Sequence, residues 1–136
     1  MHGGSVAASD LKQRTKAFAL STICLVERLP RGRTVDVIGR QLLRSGTSVA
    51  ANYRSARRAR SRRDFIAKMG IVEEEADESS FWLDLLVEAG LVPSAQIAAL
   101  RDEANQLVAI TVASIRTARR AGPDVPRSAF RVRRLP

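Results

Sequence analysis

The densest group of residues able to do acid–base or metal chemistry is a run of five carboxylates: Glu73, Glu74, Glu75, Asp77 and Glu78. On a helix Glu74 faces with Glu78, and Glu73 faces with Asp77, because residues four apart share a side. Di-iron helical bundles use carboxylates of this kind, pointed inward and joined by a Glu-x-x-His motif. No histidine follows any of these carboxylates; the sole histidine is His2, near the start of the chain. A solvated acidic face, or a partner for arginine, is the better reading. A single histidine in a leader segment cannot build a Ser-His-Asp or Cys-His arrangement. The one cysteine, Cys24, lies in an apolar run and is expected to be a buried free thiol. His2 and Cys24 supply too few ligands for a metal. The segment Arg44-Ser45-Gly46-Thr47-Ser48 has the small polar residues of a phosphate loop. It lacks the Gly-Lys-Ser/Thr ending and lies inside a helical pattern, so close helix packing is expected there. No catalytic, cofactor-binding or metal-binding residue is expected, and the chain is taken to be non-enzymatic.

Charge is the more informative chemistry. The formal net charge is +9, and the lysines are only Lys12, Lys16 and Lys68, so arginine supplies most of the excess. A guanidinium suits bidentate contact with phosphate or carboxylate. Arginine is also what a GC-rich genome encodes by default, so position must decide what the excess means.

The elements that position these residues follow from apolar spacing. The 136 residues make one domain, 45% hydrophobic and 27% charged. Aromatics are 4%, so Leu, Ile, Val and Ala must fill the core. Residues 1–8 are expected to be a flexible leader, with Ser9 as N-cap of a first helix over about 10–29. Its stripe is Leu11, Thr15, Phe18, Thr22, Leu25 and Leu29, ended by Pro30-Arg31-Gly32. Thr34 is expected to cap a second helix over about 35–58, with Val35, Ile38, Leu42, Ser45 and Val49 inward. Gly46, among small neighbours, predicts close backbone approach. Ser61-Arg62-Arg63-Asp64 has a capping-box pattern and opens a third helix over about 62–89. Phe65, Met69, Val72, Ala76, Ser79, Leu83 and Leu86 form its stripe, and Gly90 its C-terminal stop. Pro93-Ser94 opens a fourth helix, about 94–121, striped by Ile97, Leu100, Ala104, Leu107, Thr111, Ser114 and Ala118. Gly122-Pro123 ends it, and residues 123–136 are expected to be a basic disordered tail. The bundle is therefore assigned to residues 9–122. The fold class is all-α, an antiparallel up-down-up-down four-helix bundle.

That layout gathers the start of helix one, the end of two, the start of three and the end of four at one pole. The pole collects Lys12, Arg14, Lys16, Arg54, Arg57, Arg58, Arg60, Arg62, Arg63, Arg116, Arg119 and Arg120 against Asp10 and Asp64. The tail adds Arg127, Arg131, Arg133 and Arg134. The opposite pole, with Asp36, Asp84, Glu88, Asp102 and Glu103, is near balance or acidic. The candidate nucleic-acid-binding residues are Arg54, Arg57, Arg58, Arg60, Arg62, Arg63, Arg116, Arg119 and Arg120. Arg57, Arg58, Arg62 and Arg63, flanking one short turn, are the favoured set. A solvated arginine cluster without function is the competing account.

Three segments carry a more specific pattern. Gln41 to Tyr53 is Q-L-L-R-S-G-T-S-V-A-A-N-Y, Ser61 to Ile66 is S-R-R-D-F-I, and Glu75 to Leu83 is E-A-D-E-S-S-F-W-L. Together they resemble the ribosomal RNA intervening-sequence proteins, a four-helix-bundle family often encoded inside insertions of bacterial large-subunit rRNA genes. The accessory proteins of diversity-generating retroelements are similar in fold. The resemblance covers about residues 10–121. It implies a bacterial four-helix protomer assembled as a homopentameric ring, with a poorly defined biochemical role. Nucleic-acid binding is implied through the retroelement branch. Glu73-Glu74-Glu75 departs from the pattern, since relatives often carry a more basic residue in the middle.

An oligomer is also expected from the residues alone. Segments 17–26, 45–53 and 104–115 carry no charge on any face, whereas a monomeric bundle needs a polar outer side on each helix. Trp82, flanked by Phe81, Leu83, Leu85 and Leu86, is expected in core or subunit packing, with base stacking as the alternative. Asn52 is expected to be a buried hydrogen-bonding residue that fixes helix register. No basic segment followed by an apolar stretch begins the chain, so no signal peptide is expected. No apolar window is long enough to span a membrane. The expected protein is cytoplasmic and self-associating. It binds RNA or DNA through an arginine-rich end or, alternatively, acts as a structural scaffold for a protein partner. No cofactor is expected.

Overall fold

The computed structural model describes residues 8–121. Four helices fill that span: α1 Ala8–Glu27, α2 Arg33–Arg57, α3 Arg62–Glu88 and α4 Ser94–Arg120, with no β-strand among the described residues. The leader and tail assignments, and with them His2, Arg127, Arg131, Arg133 and Arg134, lie outside the described residues; Ala8 alone of the leader is described, and it opens α1.

Each helix buries the stripe its spacing dictates. Leu11, Thr15, Phe18, Thr22 and Leu25 of α1 are buried, as are Val35, Ile38, Leu42, Ser45 and Val49 of α2. All seven stripe residues of α3 are buried, from Phe65 to Leu86. On α4 the buried row advances by four from Thr111 to Ile115, so Ile115 is buried and Ser114 only half-buried. The buried threonines return their hydroxyls to their own helices. Thr15, Thr22 and Thr111 donate to the carbonyls of Leu11, Phe18 and Leu107 at 2.8, 2.8 and 2.9 Å. This satisfies a polar group that burial would otherwise penalise. Ser79 donates to Ser45 Oγ at 2.9 Å, a buried polar link between α3 and α2.

The helix ends have local causes. The α2 start differs from the expected Thr34 cap: Gly32 holds the N-cap position, Asp36 N–H donates to its carbonyl at 2.9 Å, and Thr34 lies inside the helix. Ser9 likewise falls within α1 instead of ahead of it. α1 itself ends at Glu27, two residues short of Leu29, in a tightened turn with Arg28 N–H on Leu25 O and Leu29 N–H on Val26 O. α3 ends in a Schellman motif. Gly90 takes φ +74, Leu91 N–H donates to Leu86 O at 3.0 Å and Gly90 N–H donates to Val87 O at 2.9 Å.

Candidate nucleic-acid interface

The α2–α3 connection is built by two small residues that face inward. Ala56 and Ala59 are buried, and Ala59 N–H donates to Ala56 O at 3.0 Å. Pinning the alanines turns the residues between and after them, Arg58 and Arg60, to solvent. Ser61 then caps α3 by accepting from Asp64 N–H at 3.1 Å. Asp64 answers by accepting from Arg60 N–H at 3.1 Å and from Lys68 Nζ at 3.1 Å. The Arg60 backbone bond, followed by Lys68, holds the Asp64 carboxyl below its ordinary range. The one acid in this turn is thus used for capping and for Lys68.

The nine candidate arginines divide into two groups. Arg54, Arg58, Arg60, Arg116, Arg119 and Arg120 are exposed, and their guanidinium groups make no ion pair or hydrogen bond among the described residues. Arg57 and Arg62 are half-buried, and they and Arg63 are engaged within the protein. Of the favoured four, Arg58 is exposed with no ion pair among the described residues, Arg63 is exposed and engaged, and Arg57 and Arg62 are half-buried and engaged. Tyr53 and Phe65 lie beneath the turn, 2% and 5% exposed. At the end of α4, Ala118 is buried while Arg116, Arg119 and Arg120 face solvent. Arg119 and Arg120 sit in the last turn, where the carbonyl end of the helix favours cations.

Other sequence expectations are placed differently. Arg14, assigned to the basic pole, donates from Nε and Nη2 to Glu103 at 3.0 and 2.8 Å and from Nη2 to Gln106 at 2.9 Å. Arg14 is therefore paired with an acid placed at the opposite pole in the sequence layout, and it leaves the set of free cations. Cys24 is exposed, because it sits one residue off the inward stripe between Thr22 and Leu25. Asn52 is half-buried and donates to Ser48 O and Oγ at 2.9 and 2.8 Å, within its own helix, so it bridges no two helices.

Two carboxylates of the acidic run, Glu75 and Glu78, find partners. Arg44 pairs with Glu75 at 3.3 Å and, closely, with Glu78. Trp82 is half-buried and its Nε1–H donates to Glu78 at 3.0 Å. That bond first, then Arg44, holds the Glu78 carboxyl below its ordinary value. The sequence reading of this run as a partner for arginine holds for these two carboxylates, though it did not name Arg44 of α2 as the partner. The available signal was Arg44 and Glu78 flanking Ser45 and Ser79, the two stripe positions that meet. Phe81 stacks edge-on against Trp82 at 4.9 Å and is itself 54% exposed. Leu20, Ile23, Val37 and Ile71 are further exposed apolar side chains. Among the described residues no cluster of His, Cys, Asp or Glu could hold a metal, and no helix is long and apolar enough to cross a membrane.

Known proteins share this arrangement. The sequence pattern of the 23S rRNA-intervening sequence protein family matches residues 8–113. Among solved structures, the crystal structure of a protein of unknown function from the S23 ribosomal protein family of Bacteroides thetaiotaomicron is similar. It is 32% identical, with a TM-score of 0.72 over 77% of this chain and 97% of that one. No curated protein matches the chain.

Proposed function

The chain belongs to the 23S rRNA-intervening sequence protein family, and from that premise we propose that it is a non-enzymatic, cytoplasmic homo-oligomer that binds nucleic acid through its arginine-rich end. The observation that carries this reading is the set of six exposed arginines whose guanidiniums make no ion pair or hydrogen bond among the described residues: Arg54, Arg58, Arg60, Arg116, Arg119 and Arg120. Solvated guanidiniums of this kind are what a phosphate backbone binds, with release of its counterions.

The reading needs the end of α4 beside the α2–α3 turn, which an antiparallel up-down-up-down course provides. Two contacts support that course. Ser80 donates to Asn105 at 3.1 Å, and Arg101 donates to Asp84 at 3.1 Å, so four residues forward on α3 answer four residues back on α4. From that level, Arg62 and Arg120 are each roughly 25 Å away at about 1.5 Å per residue. Self-association is supported by the uncharged middle of α1, where Leu20 is 56% exposed and Ile23 and Cys24 face solvent. A five-membered ring is the form that the family resemblance implies. It would repeat the basic end around a rim and raise affinity through effective concentration.

A scaffold that binds a protein partner without nucleic acid is the second reading, favoured by exposed Phe81 and Ile71 on α3. Mobility-shift titration of mixed-sequence RNA at low salt separates the two. The reading predicts binding by the full chain and loss of binding when Arg58, Arg60, Arg119 and Arg120 are all changed to Glu. Retention by that variant, with loss on deleting residues 123–136, would move the site to the tail. No binding by the full chain makes the protein-partner scaffold the better account.

A further inference from the structure

Resting on the nucleic-acid reading above, we propose that the ligand class of the basic end is a double helix, gripped by its two phosphate strands, and not a single strand. Two observations carry this. The first is how the free cations are arranged. Arg54 lies in the last turn of α2 and Arg58, four residues on, is its C-cap, while Arg116 and Arg120 lie one turn apart on α4. Residues spaced this way share a helix side with Cβ atoms about 6 Å apart. On the antiparallel course, two short rows of cations stand on two rigid helices at one end. Two rows suit the two phosphate strands that flank a groove.

The second observation is where the aromatic rings are. Surfaces that hold single strands offset the cost of ordering a flexible chain by stacking its bases on exposed aromatics. Tyr53 and Phe65, the aromatics nearest the turn, are 2% and 5% exposed. Phe81 is exposed, but it lies nineteen residues along α3 from Arg62, roughly 28 Å at about 1.5 Å per residue. Among the described residues this end offers charge without stacking. A duplex asks for nothing else, because its bases are already stacked and its backbone is already ordered.

Charge density sets the size of the preference. Each contact lowers log affinity by about 0.9 per decade of salt on a duplex and about 0.7 on a single strand. From equal affinities at about 1 M salt, where phosphate contacts are largely screened, six such contacts open a gap of about 1.2 log units, a little over tenfold, by about 0.1 M.

Fluorescence anisotropy with the full chain tests this, using an RNA duplex, a DNA duplex and an unstructured single strand of equal phosphate count. The expected result is that both duplexes bind about tenfold tighter than the single strand. The ratio between the duplexes tells whether the A-form or B-form backbone is the better fit. In the variant with Arg54, Arg58, Arg116 and Arg120 changed to Gln, that preference collapses. Equal or tighter binding of the single strand overturns the duplex assignment and leaves nucleic-acid binding standing. An unchanged preference in the variant overturns the assignment to these two rows. Absence of binding to all three probes removes the underlying reading, and the inference with it.

Discussion

Gly46 lets α2 lie close against α1: a Cβ built there would lie 2.6 Å from Thr22 Oγ1 and 2.7 Å from its Cγ2. Thr22 cannot swing away, because it is fully buried and its hydroxyl is tied to Phe18 O. Gly46→Ala should therefore destabilise the protein by about 1–2 kcal/mol, although alanine favours a helix by about 1 kcal/mol. Gly70, with nothing within 4 Å of its Cβ position, is the control. Gly70→Ala should stabilise by about 1 kcal/mol, and urea unfolding of the two variants reads both signs. Trp82 offers a second test. Its bond to Glu78 holds that carboxyl below its ordinary value of 4.5. A group with a lowered folded pKa stabilises above its unfolded pKa and loses that contribution as pH falls through the folded one. The stability gap between wild type and Trp82→Phe should thus be present at neutral pH and narrow as pH drops below 4.5. A gap that does not change with pH would mean the ring acts by packing alone.

At the scale of elements, the α3 start is the most legible feature. Ser61 and Asp64 form their bond because serine can accept from the orphan N–H three residues on. Ser61→Ala should cost about 1 kcal/mol in thermal unfolding. If the loss is negligible, the turn is held by the buried Ala56–Ala59 pair instead. The inward stripes were legible for the same kind of reason, since burial follows a period that the residues themselves display. The α2 start was not. Thr34 looks like a cap, but Pro30-Arg31-Gly32 already turns the chain, so the helix begins at Arg33 and leaves Thr34 inside. Nor was the state of each arginine legible. Arg57 and Arg58 are adjacent in sequence, and only the angle of α2 against α3 decides which is half-buried and which faces water. Arg14 shows the same limit: helix order alone groups it with the basic end, while in the structure it pairs with Glu103. Cys24 was misplaced by reading an apolar run as a buried one. Its position one residue off the stripe settles the matter.

At the scale of the whole molecule, the excess charge of +9 is not spread evenly over acids and bases. In the middle of the bundle Glu75, Glu78, Glu103 and Asp84 pair with Arg44, Arg14 and Arg101, while the α2–α3 turn and the end of α4 keep cations in solvent. The uncharged middle of α1 makes the complementary prediction of self-association. Light scattering should report a mass several times the 14.9 kDa of one chain, and a clean monomer at micromolar concentration would contradict it. The central claim, that the free arginines at one end bind a polyanion, is tested most directly by the salt dependence of RNA binding. The account predicts that log affinity falls linearly with log salt, each neutralised phosphate contributing about 0.7–0.9 to the slope. Changing Arg58, Arg60 and Arg119 to Gln should make the slope shallower by about three contacts' worth. Affinity that does not respond to salt, or a slope untouched by those three substitutions, would contradict it.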